Sequence, residues 1–310
     1  MKKTLNLISI VIPVFNNKDG LKATHHELKT VLDAEDYNYE IIFVDDGSSD
    51  GSFDEIQKLS EGNPEVVGIK FVRNFGQHPA TLAGIKQAKG DILITIDADL
   101  QNSPEDIPRL VKKLKEGYQV VSGRRDFGFI PFVKRLRSKI VSMCVNFITG
   151  VPLQDSTSTF KAYSREIIQE ALHNEHYMKF LPIYVCWIGK RITEIDVKCR
   201  ERKFGRSQYK FLKLLELFFE WFLLFSSGMK MVILMFGIGG LFILSSLLFL
   251  FTSIFGDGNS FSFLYFLITF IGGLIFMVFG VMFERVKQVH ISMSSEPIYV
   301  IDTVICSGKQ

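Results

Sequence analysis

Chemistry that could cross-link this chain or hold a soft metal is almost absent from it. The four cysteines, Cys144, Cys186, Cys199 and Cys306, include no Cys-x-x-Cys pair. That excludes a dithiol redox motif or a zinc frame and reads as reduced thiols in a cytoplasmic compartment. His173 and His176 have no cysteine or second histidine pair nearby, so they complete no metal cluster. Excess charge is lacking too: 36 Lys and Arg against 33 Asp and Glu leave +3 over 310 residues, which argues for no nucleic-acid partner. Neither Gly-x-Gly-x-x-Gly nor Gly-x4-Gly-Lys-Ser/Thr occurs, which disfavours dinucleotide redox chemistry and P-loop hydrolysis. Met1-Lys2-Lys3 and the apolar residues after it resemble a signal peptide. Asn6 and Pro13 break that run, however, and no small-x-small cleavage site follows, so a buried strand over 7–14 fits better.

What is present is unevenly spread. Most of the 29 phenylalanines lie in the second half. Segments 229–255 and 261–283 are apolar almost throughout, with Lys230 near the start of the first and no charge in the second. As helices they would be about 40 Å and 34 Å long, enough to cross a hydrocarbon core of about 30 Å. The connector Gly256-Asp257-Gly258-Asn259-Ser260 has no Lys or Arg, whereas Lys210, Lys213, Arg285 and Lys287 flank the pair. The expectation is a multi-pass protein of the cell inner (plasma) membrane, with the connector outside and both termini cytoplasmic. Gly237, Gly239, Gly240, Gly272 and Gly273 are either close-packing positions or simply tolerated in a span. Two stretches read as interfacial amphipathic helices or as ordinary core-facing ones: 131–149, mixing Lys134, Arg135, Arg137 and Lys139 with apolar residues, and the juxtamembrane 211–228. Residues 284–310 read as a cytoplasmic tail. Its strand-like run Pro297-Ile298-Tyr299-Val300-Ile301 suits pairing with another subunit, hence a homo-oligomer.

Residues 1–210 read as a separate cytoplasmic domain. Strands are expected over 7–14, 40–44, 66–72, 91–96 and 119–122, with helices over 18–33, 52–60, 79–89 and 104–116 between them. That alternation argues an α/β domain with a mostly parallel sheet. Such sheets bind ligands beyond the carboxyl ends of their strands. Three polar clusters fall there: Pro13-Val14-Phe15-Asn16-Asn17, Asp45-Asp46-Gly47-Ser48-Ser49-Asp50-Gly51 and Asp97-Ala98-Asp99-Leu100-Gln101. If the fourth strand continues through the last cluster, Asp97 and Asp99 face one way and Ala98 another. Two carboxylates, with the Gln101 carbonyl, suit a hard cation such as Mg2+ or Mn2+, which would neutralise a diphosphate leaving group.

These clusters, with Arg73-Asn74-Phe75-Gly76, Ser122-Gly123-Arg124-Arg125, Asp155…Ser158-Thr159-Phe160-Lys161 and Arg202…Gly205-Arg206-Ser207-Gln208-Tyr209, resemble the inverting glycosyltransferases that use polyprenyl phosphate. That family includes dolichol-phosphate mannose synthases and bactoprenol glucosyltransferases. The resemblance implies a GT-A (Rossmann-like) catalytic domain followed by interfacial helices and a two-helix transmembrane hairpin. It implies transfer of a hexose from a nucleotide-sugar, with UDP-glucose as the lean, to undecaprenyl phosphate for cell-envelope glycan modification. By the same resemblance Pro13, Phe15, Asn17, Val44 and Asp46 would line the nucleoside pocket, and Asp97, Ala98, Asp99 and Gln101 would hold diphosphate and metal. Arg125, with Arg124 beside it, would meet phosphate, Asp155 would sit by sugar and acceptor, and Arg202 and Arg206 would come from a loop closing over the donor. Asp155, Asp99 and Arg125 are the expected catalytic groups, Asp155 as base or as orienting group. Two positions depart from the pattern: Asn17 stands where the family usually has glutamate, and Gln208 where it usually has a lysine.

The acceptor phosphate is already ionised, so the enzyme has to position it and stabilise the leaving group. Arg135, Arg137 and Lys139 would draw the lipid phosphate from the headgroup plane, or simply attract membrane lipids. A processive polysaccharide synthase would carry Gln-x-x-Arg-Trp, and neither Trp187 nor Trp221 sits in that setting. A non-catalytic scaffold would be expected to lose Asp46, Asp97, Asp99, Arg125 or Asp155, and all are present.

Overall fold

A computed structural model describes residues 7–125, 142–143, 146, 150–151, 153–155, 158–173, 181–200, 228–255, 260–293 and 297–306. The chain divides into two compact units, Met1–Leu215 with Glu296–Gln310, and Glu216–Ser295.

The larger unit opens with β1 (Ile8–Val14), α1 (Lys18–Ala34), β2 (Tyr39–Asp45), α2 (Ser52–Gly62), β3 (Val66–Phe71), α3 (Gln77–Gln87) and β4 (Ile92–Thr95). A 3-10 turn (Pro104–Asp106) leads into α4 (Ile107–Lys115), followed by β5 (Val120–Arg125), β6 (Lys161–Ser164), α5 (Arg165–Leu172), α6 (Leu181–Ile188) and β7 (Ile192–Val197). After the helices of the second unit, β8 (Ile301–Cys306) returns to the sheet, whose order is β7-β5-β6-β4-β1-β2-β3-β8.

The neighbours β4, β1, β2 and β3 run parallel, and β5 and β7 share their direction, while β6 and β8 run against it. Continuous apolar runs such as Ile10–Ile12 and Ile41–Val44 are buried on both faces, as parallel strands covered by helices require. On α1, Leu21, Leu28 and Leu32 recur at helical spacing and all are buried. Because β6 is antiparallel, its first residue, Lys161, lies beside Thr95 at the end of β4. Residues 153–155 and 158–160 therefore reach the same sheet edge as the loops that follow β1, β2 and β4 and the end of β5.

The first nine expected elements are present within a few residues of their predicted limits. The C-terminal tail differs. Val67–Phe71 pair with Cys306–Ile301 of the same chain, so the tail adds a strand to the chain's own sheet. The run Pro297–Val300 leads into that strand, and the Val72 N–H donates to the Val300 carbonyl just beyond a register irregularity at Lys70 and Phe71.

The second unit holds α7 (Gly228–Phe255) and α8 (Ser260–Met293). The latter extends ten residues beyond the expected limit of 283. Among the described residues one helix, over Phe263–Phe283, is long and apolar enough to cross a membrane, and the apolar stretch Met235–Phe251 is shorter. Gly239 and Gly273 explain how α7 and α8 approach each other. A Cβ on either would stand 2.7 Å from the other's carbonyl oxygen, a distance that a side chain cannot occupy. Gly237, Gly240 and Gly272 have open space around them, so for these the simple tolerance of glycine suffices.

Candidate active site

The loop after β2 is built around two buried carboxylates. Asp46 accepts from the Phe75 amide (2.7 Å), the Gly76 amide (2.9 Å) and the Asn74 side-chain amide (2.9 Å). It thereby ties the β2 loop to the β3–α3 loop. Gly47 completes the join with φ +68°, and a Cβ there would lie 2.4 Å from the Arg73 carbonyl carbon. Asp45 accepts from the Ser48 amide at 3.3 Å, its second oxygen has no partner among the described residues, and burial raises its pKa.

The β1 loop docks on both neighbouring loops. Asn16, at φ 49°, accepts from the Ser49 amide at 2.9 Å, and its own amide donates to the Ser48 hydroxyl at 2.9 Å. Asn17 donates its side-chain amide to the Ala98 carbonyl at 2.8 Å, an oxygen shared with the Thr24 hydroxyl at 2.9 Å. This gives the departure at Asn17 a physical sense. The position has to donate, and an ionised glutamate would set a negative oxygen against a carbonyl. Pro13 and Phe15 are half-buried beside this loop, whereas Val44 is fully buried, with a Gly84 Cβ placed only 3.1 Å from its Cγ2. Val44 packs in the core beneath α3 and does not line the surface pocket expected of it.

The aspartate pair also needs a correction. β4 ends at Thr95, and Ala98 and Asp99 lie in a turn, with Leu100 at φ 57°. A turn, not a continuing strand, presents the two half-buried carboxylates while Ala98 stays buried. Asp97 is held from two sides, by the Gln77 amide (2.6 Å) and the Thr159 hydroxyl (2.7 Å). Asp99 accepts from the Gln101 backbone amide at 3.0 Å, and the Gln101 carbonyl accepts from the Arg200 amide at 2.8 Å. Arg200 in turn reaches Glu27 (2.6 Å) and the Ser103 hydroxyl (2.9 Å), which fixes the end of this loop.

Arg125 and Asp155, expected near phosphate and acceptor, form one unit. Arg125 Nε and Nη2 donate to the two Asp155 oxygens at 2.7 and 2.9 Å, a bidentate pair in which Asp155 is buried and Arg125 about one-quarter exposed. Burial works against the guanidinium charge, but hydrogen bonding and the field of Asp155, with a smaller contribution from Asp97, outweigh it and raise the Arg125 pKa. Glu194 on β7 accepts from the Gln154 and Asp155 amides at 2.6 and 2.9 Å and so fixes the Asp155 segment. Arg124 points to Asp196 on the surface, which corrects its expected place beside phosphate: neighbours on a strand face opposite sides.

Gln77, His78, Thr159, Glu194 and Lys161 carried no assigned role in the sequence reading. Thr159 and Lys161 stood within a quoted motif, and Gln77 directly follows Gly76, the last residue of another. Lys161 is fully buried, donates to the Ser122 hydroxyl at 2.9 Å, and has its pKa lowered by burial. A cavity of about 10 Å³ lies between Pro13, Gln77, His78, Asp97 and Thr159, room for about one water. Loss of hydration pushes the His78 imidazole down to about 4, so it is neutral at neutral pH.

No group of three or more His, Cys, Asp or Glu among the described residues is arranged to hold a metal. Asp97 and Asp99 still fit a hard divalent ion, because both are oxygen donors and a carboxylate offers about four acceptor positions. The Gln77 and Thr159 bonds each engage one Asp97 oxygen and orient the carboxylate. Arg135, Arg137 and Lys139, Arg202, Arg206 and Gln208, the juxtamembrane stretch 211–227 and nearly all of 131–149 lie outside the described residues.

A mostly parallel α/β sheet with acidic loops and an arginine–carboxylate pair along its carboxyl edge is the GT-A-like arrangement that the resemblance to glycosyltransferases implies. The chain belongs to glycosyl transferase family 2, whose pattern matches residues 9–172. It is 35% identical over 311 residues to an undecaprenyl-phosphate 4-deoxy-4-formamido-L-arabinose transferase of Serratia proteamaculans (strain 568), covering 98% of this chain and 94% of that protein. It is thus related to the polyprenyl-phosphate glycosyltransferases. Solved structures of glucosyl-3-phosphoglycerate synthase from Mycobacterium tuberculosis are also similar. One, with Mn2+, uridine diphosphate and phosphoglyceric acid, has a TM-score of 0.48 at 18% identity and covers 70% of this chain and 76% of that one. Another, with Mg2+ and uridine diphosphate, has a TM-score of 0.45 at 21% identity, covering 65% and 73%.

Proposed function

We propose that this glycosyltransferase moves a sugar from a UDP-sugar to undecaprenyl phosphate, with inversion, at the cytoplasmic face of a membrane. The observation that carries the reading is the gathering of Asp46, Asp97, Asp99 and the Arg125–Asp155 pair on one sheet edge, in a chain that also has a 21-residue apolar helix. In this reading an acceptor phosphate oxygen bonds to the anomeric carbon as the bond to the diphosphate breaks. The nucleoside diphosphate leaves with the electron pair, and no proton has to move first.

Asp46 and the Phe75–Gly76 amides shape the nucleoside end, with Pro13, Phe15 and Asn17 beside them. Arg125, oriented by Asp155, faces the diphosphate, and Arg202 and Arg206 supply further positive charge from the donor loop. Arg135, Arg137 and Lys139 meet the lipid phosphate. A divalent ion held by Asp97 and Asp99 would neutralise charge on the leaving diphosphate. The expected donor sugar is a hexose such as glucose. The 35% identity to a 4-deoxy-4-formamido-L-arabinose transferase favours that pentose derivative as a second reading.

Incubating membranes with a panel of labelled UDP-sugars and undecaprenyl phosphate tests this directly. A single sugar on the lipid is expected from one donor. A polymer would establish the processive reading instead, and no transfer from any donor would end the enzymatic one.

The membrane reading has both α7 and α8 crossing. Leu241, Leu244, Leu248, Phe263 and Ile268 expose more than half of their surface, as lipid-facing side chains do. A cysteine at Asn259 should then react with an impermeant reagent added outside the cell, and one at Ser48 should not. The reverse pattern would overturn the orientation.

A further inference from the structure

The segment leading into the chain's last strand does more than join that strand to the sheet, because it meets the loop that Asp46 holds. Tyr299 stacks on Phe71 with ring centroids 5.1 Å apart and planes within 7° of parallel. Phe71 meets Phe75 edge to face at 5.7 Å, and the Arg73 guanidinium lies 4.9 Å over the Phe75 ring. The Val72 amide donates to the Val300 carbonyl at 3.2 Å, so the backbone is joined at the same place. Phe75 is the residue whose amide makes the 2.7 Å bond to Asp46. A continuous path of ring contacts and hydrogen bonds therefore runs from the C-terminal segment, through Phe71 and Phe75, to Asp46.

We propose that Tyr299 is a positioning residue for the nucleoside pocket: its stack on Phe71 sets the place of Phe75 and, through the Phe75 and Gly76 amides, the aim of Asp46. The proposal rests on the reading that Asp46 lies at the nucleoside end of a UDP-sugar site. Phe71 is almost wholly buried, with Tyr299 against one ring face and Phe75 at its edge. Removing Tyr299 opens one face of that ring. Phe71 and Phe75 then lose the contact that holds their edge-to-face geometry, which depends on ring orientation as well as on burial. The four-residue stretch Arg73–Gly76 has no helix or strand of its own to restrain it. Its place is set by Asp46 on one side and by the rings on the other. The donor site therefore depends on residues that follow the last helix in sequence, and the effect should fall on nucleotide and not on acceptor.

Direct UDP binding to the full-length protein in detergent separates the possibilities, with transfer kinetics alongside. Tyr299→Phe keeps the stack and should bind UDP like wild type. Tyr299→Leu keeps an apolar side chain but not the stack. It should weaken UDP about tenfold, or about 1.4 kcal/mol, and raise the donor KM in proportion, with kcat and the acceptor KM unchanged. Phe75→Leu breaks the same path at its other end, should give the same selective loss, and stands in if the Tyr299 variant does not fold. A leucine variant that binds UDP as wild type does overturns the proposal. So does a parallel loss of UDP and acceptor binding, or failure of both leucine variants to fold, since each makes the strand a support for the whole sheet alone. Wild type that binds no UDP would remove the UDP-sugar reading itself, and this inference with it.

Discussion

Alanine in place of Asp155 is expected to abolish transfer and also to destabilise the catalytic domain, a combination that few other substitutions here should give. The carboxylate is buried, and both its oxygens bond one guanidinium. Removing one partner of a buried ion pair costs about 3–5 kcal/mol, because the other charge is left without compensation. Arg125 is about one-quarter exposed, so water relieves part of that penalty and the lower end, about 3 kcal/mol, is expected. The loss of activity should exceed what the stability change explains. An Arg125 no longer held at Nε and Nη2 cannot be aimed at a leaving diphosphate, and losing one pre-aimed donor costs about a hundred- to a thousandfold in rate. Asp155→Asn is the sharper probe, since it keeps the volume and one acceptor but gives up the charge. If Asp155 acts chiefly by orienting Arg125, then Asp155→Asn, Arg125→Ala and the double variant should all have similar rates. A base role predicts that the two single losses multiply. Single-turnover rates on protein shown by thermal melting to be folded decide between them. Multiplied losses would reject the orienting role, and an Asp155→Ala variant as stable and active as wild type would reject the pair as functional machinery.

The two halves of this pair show what could be read in advance. Arg125 and Asp155 each stood in a recognisable motif, 30 residues apart, but nothing in the spacing announced that they would bond each other. That contact depends on β6 running antiparallel, which brings the segment before Lys161 to the end of β5. β1 to β5 were legible because their apolar runs are continuous and separated by amphipathic helices. β6 has only four residues, and in β7 (Ile-Thr-Glu-Ile-Asp-Val) the consecutive polar Thr193 and Glu194 break the alternation of a half-buried strand, so neither stood out. The pairing of β8 could not be read at all, because its partner β3 lies more than 200 residues earlier and the intervening sequence is two apolar helices. The same limit applied to Asp97 and Asp99. Their residue types announced a hard-ligand site, but the positive φ at Leu100, which makes the segment a turn, is uncommon for a leucine and left no mark in the sequence. Arg124 and Arg125 were equivalent as letters and became different only when the strand turned one toward Asp196 and the other toward Asp155.

Asp99→Ala should reduce turnover by about a thousandfold or more while leaving the protein folded. The two aspartates are not equivalent in the structure. Asp97 is fastened by Gln77 and Thr159, so its loss would disturb α3 and the segment before β6 as well as the site. Asp99 accepts from the Gln101 amide within its own turn and is half-buried. Where thermal melting shows the alanine variant folded, the loss of activity is assigned to the missing carboxylate. Withdrawing one hard ligand from a cation that stabilises a leaving diphosphate is worth several kcal/mol, and about 4 kcal/mol corresponds to about a thousandfold in rate. Asp99→Asn keeps an oxygen but not the charge and should fall between alanine and wild type. Its activity should recover in part as Mn2+ is raised, because weaker binding yields to concentration. Thr159→Ala removes one hydrogen bond to Asp97 without removing the carboxylate and should cost about tenfold or less, on the scale of one hydrogen bond to a charged group. The measurement is turnover against Mg2+ and Mn2+ concentration for the four proteins, with thermal melting as the control for folding. Wild-type activity that survives excess chelator, or Asp99→Ala turnover equal to wild type, would show that these carboxylates serve the turn and not a cation.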